Sequence, residues 1–421
     1  MSLFQLLSRA TPVVEAPLPR VEPYLVLPDR QAEASLAPRS GVHIAHLVDV
    51  IGPRPAGSAE ERAAADYVDA QLRAAGYTPE RQPVPFAPHL AFTPWFALGG
   101  GLLFAAATWL QNLPGLAFVS LIYIIVLPEL TRWLSRRRAR TAQSQNVIAF
   151  TAAPSDAPTL IVCAHLDSAP ATALGLTALR ALHQQIMFVN LRVAWAVAAL
   201  AALRLLGLAL PELALTFGSA AGIVAGATWL ALELGSQLGG PRDFAPGAND
   251  NGSGVGVALA VAERIAAQPP SRLRVGFLFT GAEETGLHGA EAFAATVARG
   301  QRVAVLNLDM VGSGRDLITI TQDGALQAFE TDVELNVLIR ECDVTVRGRA
   351  FRLRSGDHAP FLRRGIRAAA LQAVGRSEAE LAYHTPADDL SLIDPRTLDR
   401  VARLVCSVID QADVRGYPYP A

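Results

Sequence analysis

The chain has 421 residues, enough for one large domain with additions or for two domains. Hydrophobic residues make up 51% and charged residues only 18%, against about 25% charged in an average soluble domain, so part of the chain is unusually apolar. With 36 basic and 38 acidic side chains the net charge is −2, which excludes a global field that draws nucleic acid.

Residues 1–40 carry Pro12, Pro17, Pro19, Pro23, Pro28 and Pro38 with charges between them. No apolar run there matches the roughly 7–15 residues of an export signal core, so an extended N-terminal arm is expected. Residues 58–75 read as a helix. Ser58-Ala59-Glu60-Glu61 has the form of a capping box, Ala64, Tyr67, Val68 and Leu72 follow at helical spacing, and Gly76 ends it. Beyond it, β-like runs at 146–151, 160–163, 274–280 and 303–308 alternate with helical runs at 253–267, 290–298 and 395–411. That alternation predicts an α/β three-layer sandwich, with a central mixed, mostly parallel sheet flanked by helices. In such folds sites form beyond the carboxyl ends of the strands.

Two intervals interrupt the pattern. The first holds apolar runs at 91–110 and 113–127, the second at 193–210 and 213–232. Runs 91–110 and 213–232 each contain 20 residues without a charge, and about 20 apolar residues span a bilayer core. The 113–127 run extends to Leu130 if Glu129 lies at the interface. The 193–210 run contains Arg204, which costs about 2.5–3.5 kcal/mol at mid-bilayer. The expectation is two inserted hydrophobic hairpins, 91–140 and 186–240, with about four transmembrane helices. They interrupt a discontinuous α/β domain of residues 41–90, 141–185 and 241–421. Arg132, Arg136, Arg137, Arg138 and Arg140 follow the first hairpin, whereas its far turn, Gln111-Asn112, is uncharged. The positive-inside bias then predicts a multi-pass membrane protein with a cytoplasmic α/β domain. Gly218, Gly222 and Gly226 stand four apart, the spacing of a close helix contact within one chain or between copies in a homo-oligomer. The three cysteines, Cys163, Cys342 and Cys406, are too few and too scattered for a disulfide framework and read as small core residues.

The chemistry-bearing residues recur where the β-like runs end. His165-Leu166-Asp167-Ser168 follows the 160–163 run, and Asp167 can fix the imidazole tautomer. Gly247-Ala248-Asn249-Asp250-Asn251-Gly252 leads into an apolar helix. Asp250 and Asn251 there read either as caps or as an open carboxylate able to bridge two cations. Glu283 and Glu284 are adjacent after the 274–280 run and repel unless something positive compensates. Asp309 follows the 303–308 run, and His384 stands in Tyr383-His384-Thr385-Pro386-Ala387-Asp388. Together these supply two histidines, three acidic ligands and a spare glutamate, a set suited to zinc and similar divalent metals.

This ordered series resembles the M28 family of metallopeptidases, which includes co-catalytic zinc aminopeptidases. Ile51-Gly52-Pro53-Arg54-Pro55-Ala56-Gly57-Ser58 resembles the opening segment of that family. The likeness covers about 41–90, 145–170 and 245–412 and leaves out the hydrophobic hairpins. It implies two zinc ions, with His165 and Asp309 on one, Glu284 and His384 on the other, and Asp250 bridging. Glu283 takes the place of the general base, and Asp167 that of the partner that orients His165. Ser355-Gly356-Asp357-His358-Ala359-Pro360-Phe361 resembles a late motif beside the cleft. Asp357 and His358 are accordingly candidates for a role on the substrate side or behind the ligands. The implied activity is hydrolysis of the amino-terminal residue from a peptide with a free amine. Two alternatives stand on the same scaffold. One is a glutaminyl-cyclase-like acyl transferase. The other is a catalytically silent membrane scaffold or receptor, which would have lost ligands, whereas here every expected position is filled. One departure stands out: Asp167 and Asp250 are 83 positions apart, where the family has a short connection.

Overall fold

The computed structural model describes residues 35–86, 93–120, 141–154, 156–171, 177–238, 244–298, 300–323, 328–351 and 355–418. The expected N-terminal arm, apart from its last residues, and the arginines at 132–140 lie outside them. The described chain divides into two units. One comprises Met1–Phe86, Ala142–Pro170 and Phe244–Ala421, and the other Ala87–Thr141 and Ala171–Asp243.

The first unit is built on nine strands: β1 (Glu80–Phe86), β2 (Ala142–Phe150), β3 (Thr159–His165), β4 (Arg274–Thr280), β5 (Val303–Leu308), β6 (Asp316–Asp323), β7 (Phe329–Glu330), β8 (Arg347–Phe351) and β9 (Arg367–Val374). Their spatial order is β1-β2-β4-β3-β5-β9-β6-β7, with β8 beside β6. The centre, β4-β3-β5-β9, is parallel. Towards either side the sheet turns antiparallel, where β1 pairs β2, β2 pairs β4, and β6 pairs β9 and β7. β8 pairs β6 in parallel, so the sheet is mixed, with parallel ladders in its middle and again at β8. Pro83 and Pro85 fit this arrangement, since β1 is an edge strand and proline donates no ladder hydrogen bond.

The strand period of two divides the interior into two layers. Leu160, Val162 and Ala164 of β3 join one cluster, whereas Ile161 and Cys163 join another. The larger cluster also takes in α1 (Ala37–Ala45), α2 (Ala59–Ala74) and α6 (Ser253–Ala267) through Ile44, Val68 and Val257. It is completed by α8 (Val333–Cys342) through Leu335 and α11 (Pro395–Arg415) through Val401. The smaller is closed by Phe293 of α7 (His288–Ala294) and Phe361 of α9 (Ala359–Leu362). The three-layer sandwich follows from that alternation. Helix α2 begins where its cap stands, with Ser58 Oγ accepting from Glu61 N at 3.0 Å. The Glu61 carboxylate, however, turns away from the reciprocal half of a capping box.

The second unit has its own apolar cluster, which includes Leu103, Leu110, Val197, Ala201, Leu215 and Trp229. These come from α3 (Thr93–Trp109), α4 (Thr177–Leu205) and α5 (Glu212–Leu238). The two excursions thus form one bundle rather than two separate hairpins. A β-carbon built on Gly226 would lie 2.4 Å from Phe104 N, and one on Gly222 would lie 2.6 Å from Ala107 Cβ. One on Gly218 would lie 2.4 Å from Leu200 Cδ1. The glycine face, expected to mark a helix contact within the chain or between copies, meets α3 and α4 of the same chain, because only glycine admits neighbours that near. Helix α4 starts at Thr177, ahead of the apolar run expected from 193, and it ends at Leu205 rather than 210. The boundary expected at 185 therefore moves back to 170, since one helix runs through it. Four spans were expected, and among the described residues one helix, over Glu212–Ala231, is long and apolar enough to cross a membrane. Gly100–Trp109 is apolar but shorter. Arg192 and Arg204 interrupt the apolar character of α4, and the chain over 113–127 is described only to residue 120.

Candidate active site

His165 ends β3 opposite Thr280 at the end of β4, and Asp309 follows β5 directly. Glu283 and Glu284 come three and four residues beyond β4. Asp250 lies on the turn that opens α6, and His384 follows α10 (Ser377–Ala382). The carboxyl ends of the parallel strands, where the sequence places a site, bring these residues together. His165 Nε2 is 3.2 Å from Asp250 Oδ1, and His384 Nε2 is 3.2 Å from Asp250 Oδ2. The two oxygens of one carboxylate thus face two different imidazoles. Glu284 Oε2 is 3.3 Å from His384 Nε2, and Asp309 Oδ1 is 3.9 Å from His165 Nε2. One ligand atom each of His165, Glu283 and Asp309 fall within 4.8 Å of one another, as do those of His165, Asp250 and Glu284.

His165 Nδ1 lies 3.0 Å from the carbonyl oxygen of Asp167. That oxygen can only accept, so Nδ1 carries the proton and Nε2 presents its lone pair to the cluster. The Asp167 carboxylate, expected to do this, is 3.7 Å from the ring. It instead accepts from the backbone N–H of Glu283 and of Glu284, both at 3.0 Å. Asp167 therefore orients His165 through its main chain and holds the glutamate turn through its side chain. Asn251 takes the capping work that the sequence left open. Its Oδ1 accepts from Gly254 N at 3.0 Å and its Nδ2 donates to Leu308 O at 2.8 Å, which leaves Asp250 free for the imidazoles. Ala282, Met310 and His384, each in or beside the cluster, have positive φ values of 54–55°. Such strain gathers where a site dictates the backbone.

Three buried residues that sequence reasoning gave no role brace this arrangement. Arg54 is 1% exposed and donates to five carbonyls, those of Leu47, Gly52, Leu166, Pro246 and Gly247. It ties the loop before Asp167 to the loop before Asp250. Burial lowers its pKa to about 10 against the pull of Asp388, Asp167 and Asp250, so it is still a cation at neutral pH. Asp388 accepts from Asn249 N at 2.7 Å and Asp250 N at 3.0 Å; burial and the Asp250 charge raise its carboxyl to about 7. Glu61 accepts from Gly57 N, Ser144 Oγ and Ala282 N, and burial together with Asp167 raises it to about 7. Arg54 and Asp388 both stand inside the quoted motifs, which was the available signal. Glu61 was masked by its reading as a cap.

Asp357 and His358 lie outside the ligand cluster. Asp357 is buried and accepts from Thr280 Oγ1, and its charge reaches Glu283. His358 pairs with Asp323, Nε2 to Oδ2 at 3.1 Å.

The residues fit divalent metal. Glu284 Oε1 and Asp309 Oδ1 are buried with no hydrogen-bond partner among the described residues. Burial pushes the Glu283 carboxyl well above its usual range, against the pull of His165 and with the charges of Glu284, Asp357 and Asp309. Burial alone would depress His165 and His384. The surrounding carboxylates outweigh it, lifting His165 well above its usual value and His384 to about 9. Asp250 is held well below the carboxylate range by both imidazoles despite its burial. So many acidic groups in one place need positive compensation.

Residues 235–409 match the family model described as Peptidase family M28. Aminopeptidase YwaD of Bacillus subtilis (strain 168) is 33% identical over 182 residues, 40% of this chain and 38% of that protein. Leupeptin-inactivating enzyme 1 of Streptomyces exfoliatus is 30% identical over 202 residues, 42% of this chain and 44% of that protein. The chain thus spans less than half the length of these curated relatives. A zinc aminopeptidase from Bacillus subtilis superposes with a TM-score of 0.54 at 17% identity, over 89% of this chain and 94% of that one. Porphyromonas gingivalis glutaminyl cyclase gives 0.53 at 17% identity, over 90% and 99%. At such identity these two speak for the shared fold alone. The family match takes in Asp250, Glu283, Glu284, Asp309 and His384, so the stretch that is similar to peptidase family M28 carries five of the candidate site residues.

Proposed function

We propose that the chain is a membrane-attached zinc aminopeptidase that hydrolyses the amino-terminal residue from peptides. The observation that carries this reading is Asp250, with one oxygen facing His165 and the other facing His384. His165 and Asp309 would hold one ion, Glu284 and His384 the other, and Asp250 both. A bound pair of this kind supplies Lewis acidity and lowers the pKa of water from 15.7 toward about 7. Glu283 accepts the proton of the attacking water and returns it to the leaving amine. Asp167 keeps Glu283 aimed by holding its backbone N–H.

Membrane attachment rests on the second unit. Helix α5 contains a 20-residue span of the required length, and Trp195, Phe217 and Val224 expose 55%, 67% and 65% of their surface. Exposed apolar surface on this scale suits lipid better than water. The protein should stay with membranes through an alkaline carbonate wash, and release into the wash would remove this part of the reading.

The activity is tested by metal analysis and by peptide assay on the full-length protein. Wild-type protein should carry zinc and release free amino acids. Glu283→Gln should keep the zinc and lose about 10²–10⁴-fold in turnover. Cyclisation of amino-terminal Gln peptides in place of amino-acid release would move the chain to the acyl-transferase alternative. Wild-type turnover in Glu283→Gln would take that residue out of the mechanism.

A further inference from the structure

Asp309 has two working faces. Its Oδ1 looks toward His165 Nε2 inside the cluster, 3.9 Å away. Its Oδ2 looks toward Gly356. A β-carbon built on Gly356 would lie 3.3 Å from Asp309 Oδ2, 3.3 Å from Asn307 Nδ2 and 3.4 Å from His358 Nδ1. Three polar atoms, two from the end of β5 and one from the segment that opens α9, therefore converge on one spot. The His358 ring is 1% exposed, and neither of its nitrogens makes a hydrogen bond among the described residues. On its far side Nε2 stands 3.1 Å from Asp323 Oδ2, and Asp323 Oδ1 accepts from Ser355 Oγ at 2.9 Å. Asp323 is itself 2% exposed and closes strand β6. An imidazole buried between two carboxylates can serve both. Leaving a buried nitrogen without a partner costs about 1–3 kcal/mol, which favours its engagement with the Asp309 carboxylate.

We infer that His358, oriented by Asp323, is the positioning residue for Asp309. It acts on the outer oxygen Oδ2, directly or across one water, and so keeps Oδ1 turned toward the ion shared with His165. This rests on the two-metal reading proposed above. It accounts for glycine at 356, where any side chain would press on all three atoms, and it extends the site from β5 to the end of β6. Partners behind a metal ligand typically contribute about 10–100-fold to metal affinity.

The test is zinc affinity by competition with a chromogenic chelator, on full-length protein carrying His358→Gln or Asp323→Asn, each alone and combined with Asp309→Ala. His358→Gln should weaken one of the two ions about 10–100-fold. Asp323→Asn should weaken the same ion, and excess zinc should restore turnover in both variants. In the Asp309→Ala background neither change should alter the remaining ion by more than about twofold. A merely structural role would weaken both ions in either background, and that result overturns the inference. So would wild-type affinities in folded His358→Gln and Asp323→Asn. Where His358→Gln does not fold, Gly356→Ala, which crowds Oδ2 while leaving the His358–Asp323 pair, should weaken the same ion, and unchanged affinity there counts equally against it. Wild-type protein that takes up no second ion would sink the two-metal reading, and this inference with it.

Discussion

In the unit that carries the cluster, the large apolar side chains left exposed are valines such as Val42 and Val414, and many buried polar groups are tied to one another. Arg54 alone satisfies five carbonyls, and Asp388 holds two consecutive backbone N–H groups. In the unit made by the two excursions, large apolar side chains lie outside as well as inside. Leu206 is 76% exposed and Leu213 68%, while the interior is thin and glycine-lined between α3 and α5. The first unit is organised by directional bonds around a chemical site. The second is organised by close backbone approach, the kind of packing that serves where the surroundings are themselves apolar.

That contrast can be broken or sharpened by substitution, and the largest effect should come at the cluster. Asp250→Ala should strip both ions and reduce turnover to background, read by metal analysis; two ions retained would contradict the bridge. Arg54→Met, which leaves five buried carbonyls without their donor, should cost about 3–5 kcal/mol in chemical denaturation and weaken zinc binding. Glu61 tests the same bracing through pH. Its folded-state value is raised from 4.5 to about 7, so the folded chain holds a proton there that the unfolded chain has released. Stability should therefore fall as pH rises from about 4.5 to about 7, and Glu61→Gln should flatten that slope. The smallest effect belongs to the other unit. Gly226→Val would drive a side chain into Phe104 N and should cost about 1–3 kcal/mol, seen as loosening around the buried Trp229 with the zinc content unchanged. Loss of zinc in that variant would erase the division between the units.

The candidate ligands His165, Glu284 and Asp309 were legible because each follows an apolar run that can hardly be anything but a strand, as at Arg274–Thr280 and Val303–Leu308, whereas Asp250 and His384 sit in turns and were read from their motifs. The central strand β9 was not. Its Arg367-Ala368-Ala369-Ala370 start has low strand propensity, and only burial between β5 and β6 makes it a strand. The edges β6 to β8 escaped for a related reason, since short antiparallel pieces carry little period of their own. Hydropathy located the excursions but misjudged α4, because a helix runs on through polar residues such as Gln184 and Gln185 that an apolar window rejects. Which helices pair across the bundle depends on Gly100 meeting Gly226 and Leu230, a long-range fit that no local pattern encodes.

The root of the second excursion has a consequence for how the chain matures. Pro170 and Phe244 form a β-bridge and Ala245 N donates to Ala169 O at 2.9 Å, so the stretch Ala171–Asp243 begins and ends on adjoining residues. On the ribosome, at about 5–20 residues per second, His165 emerges seconds before Asp250 can join it. Closing so long a loop in place of a tight turn costs about 2–3 kcal/mol of chain entropy, unless the nascent insert has already drawn its two ends together. Assembly of the bundle would then come before completion of the metal cluster.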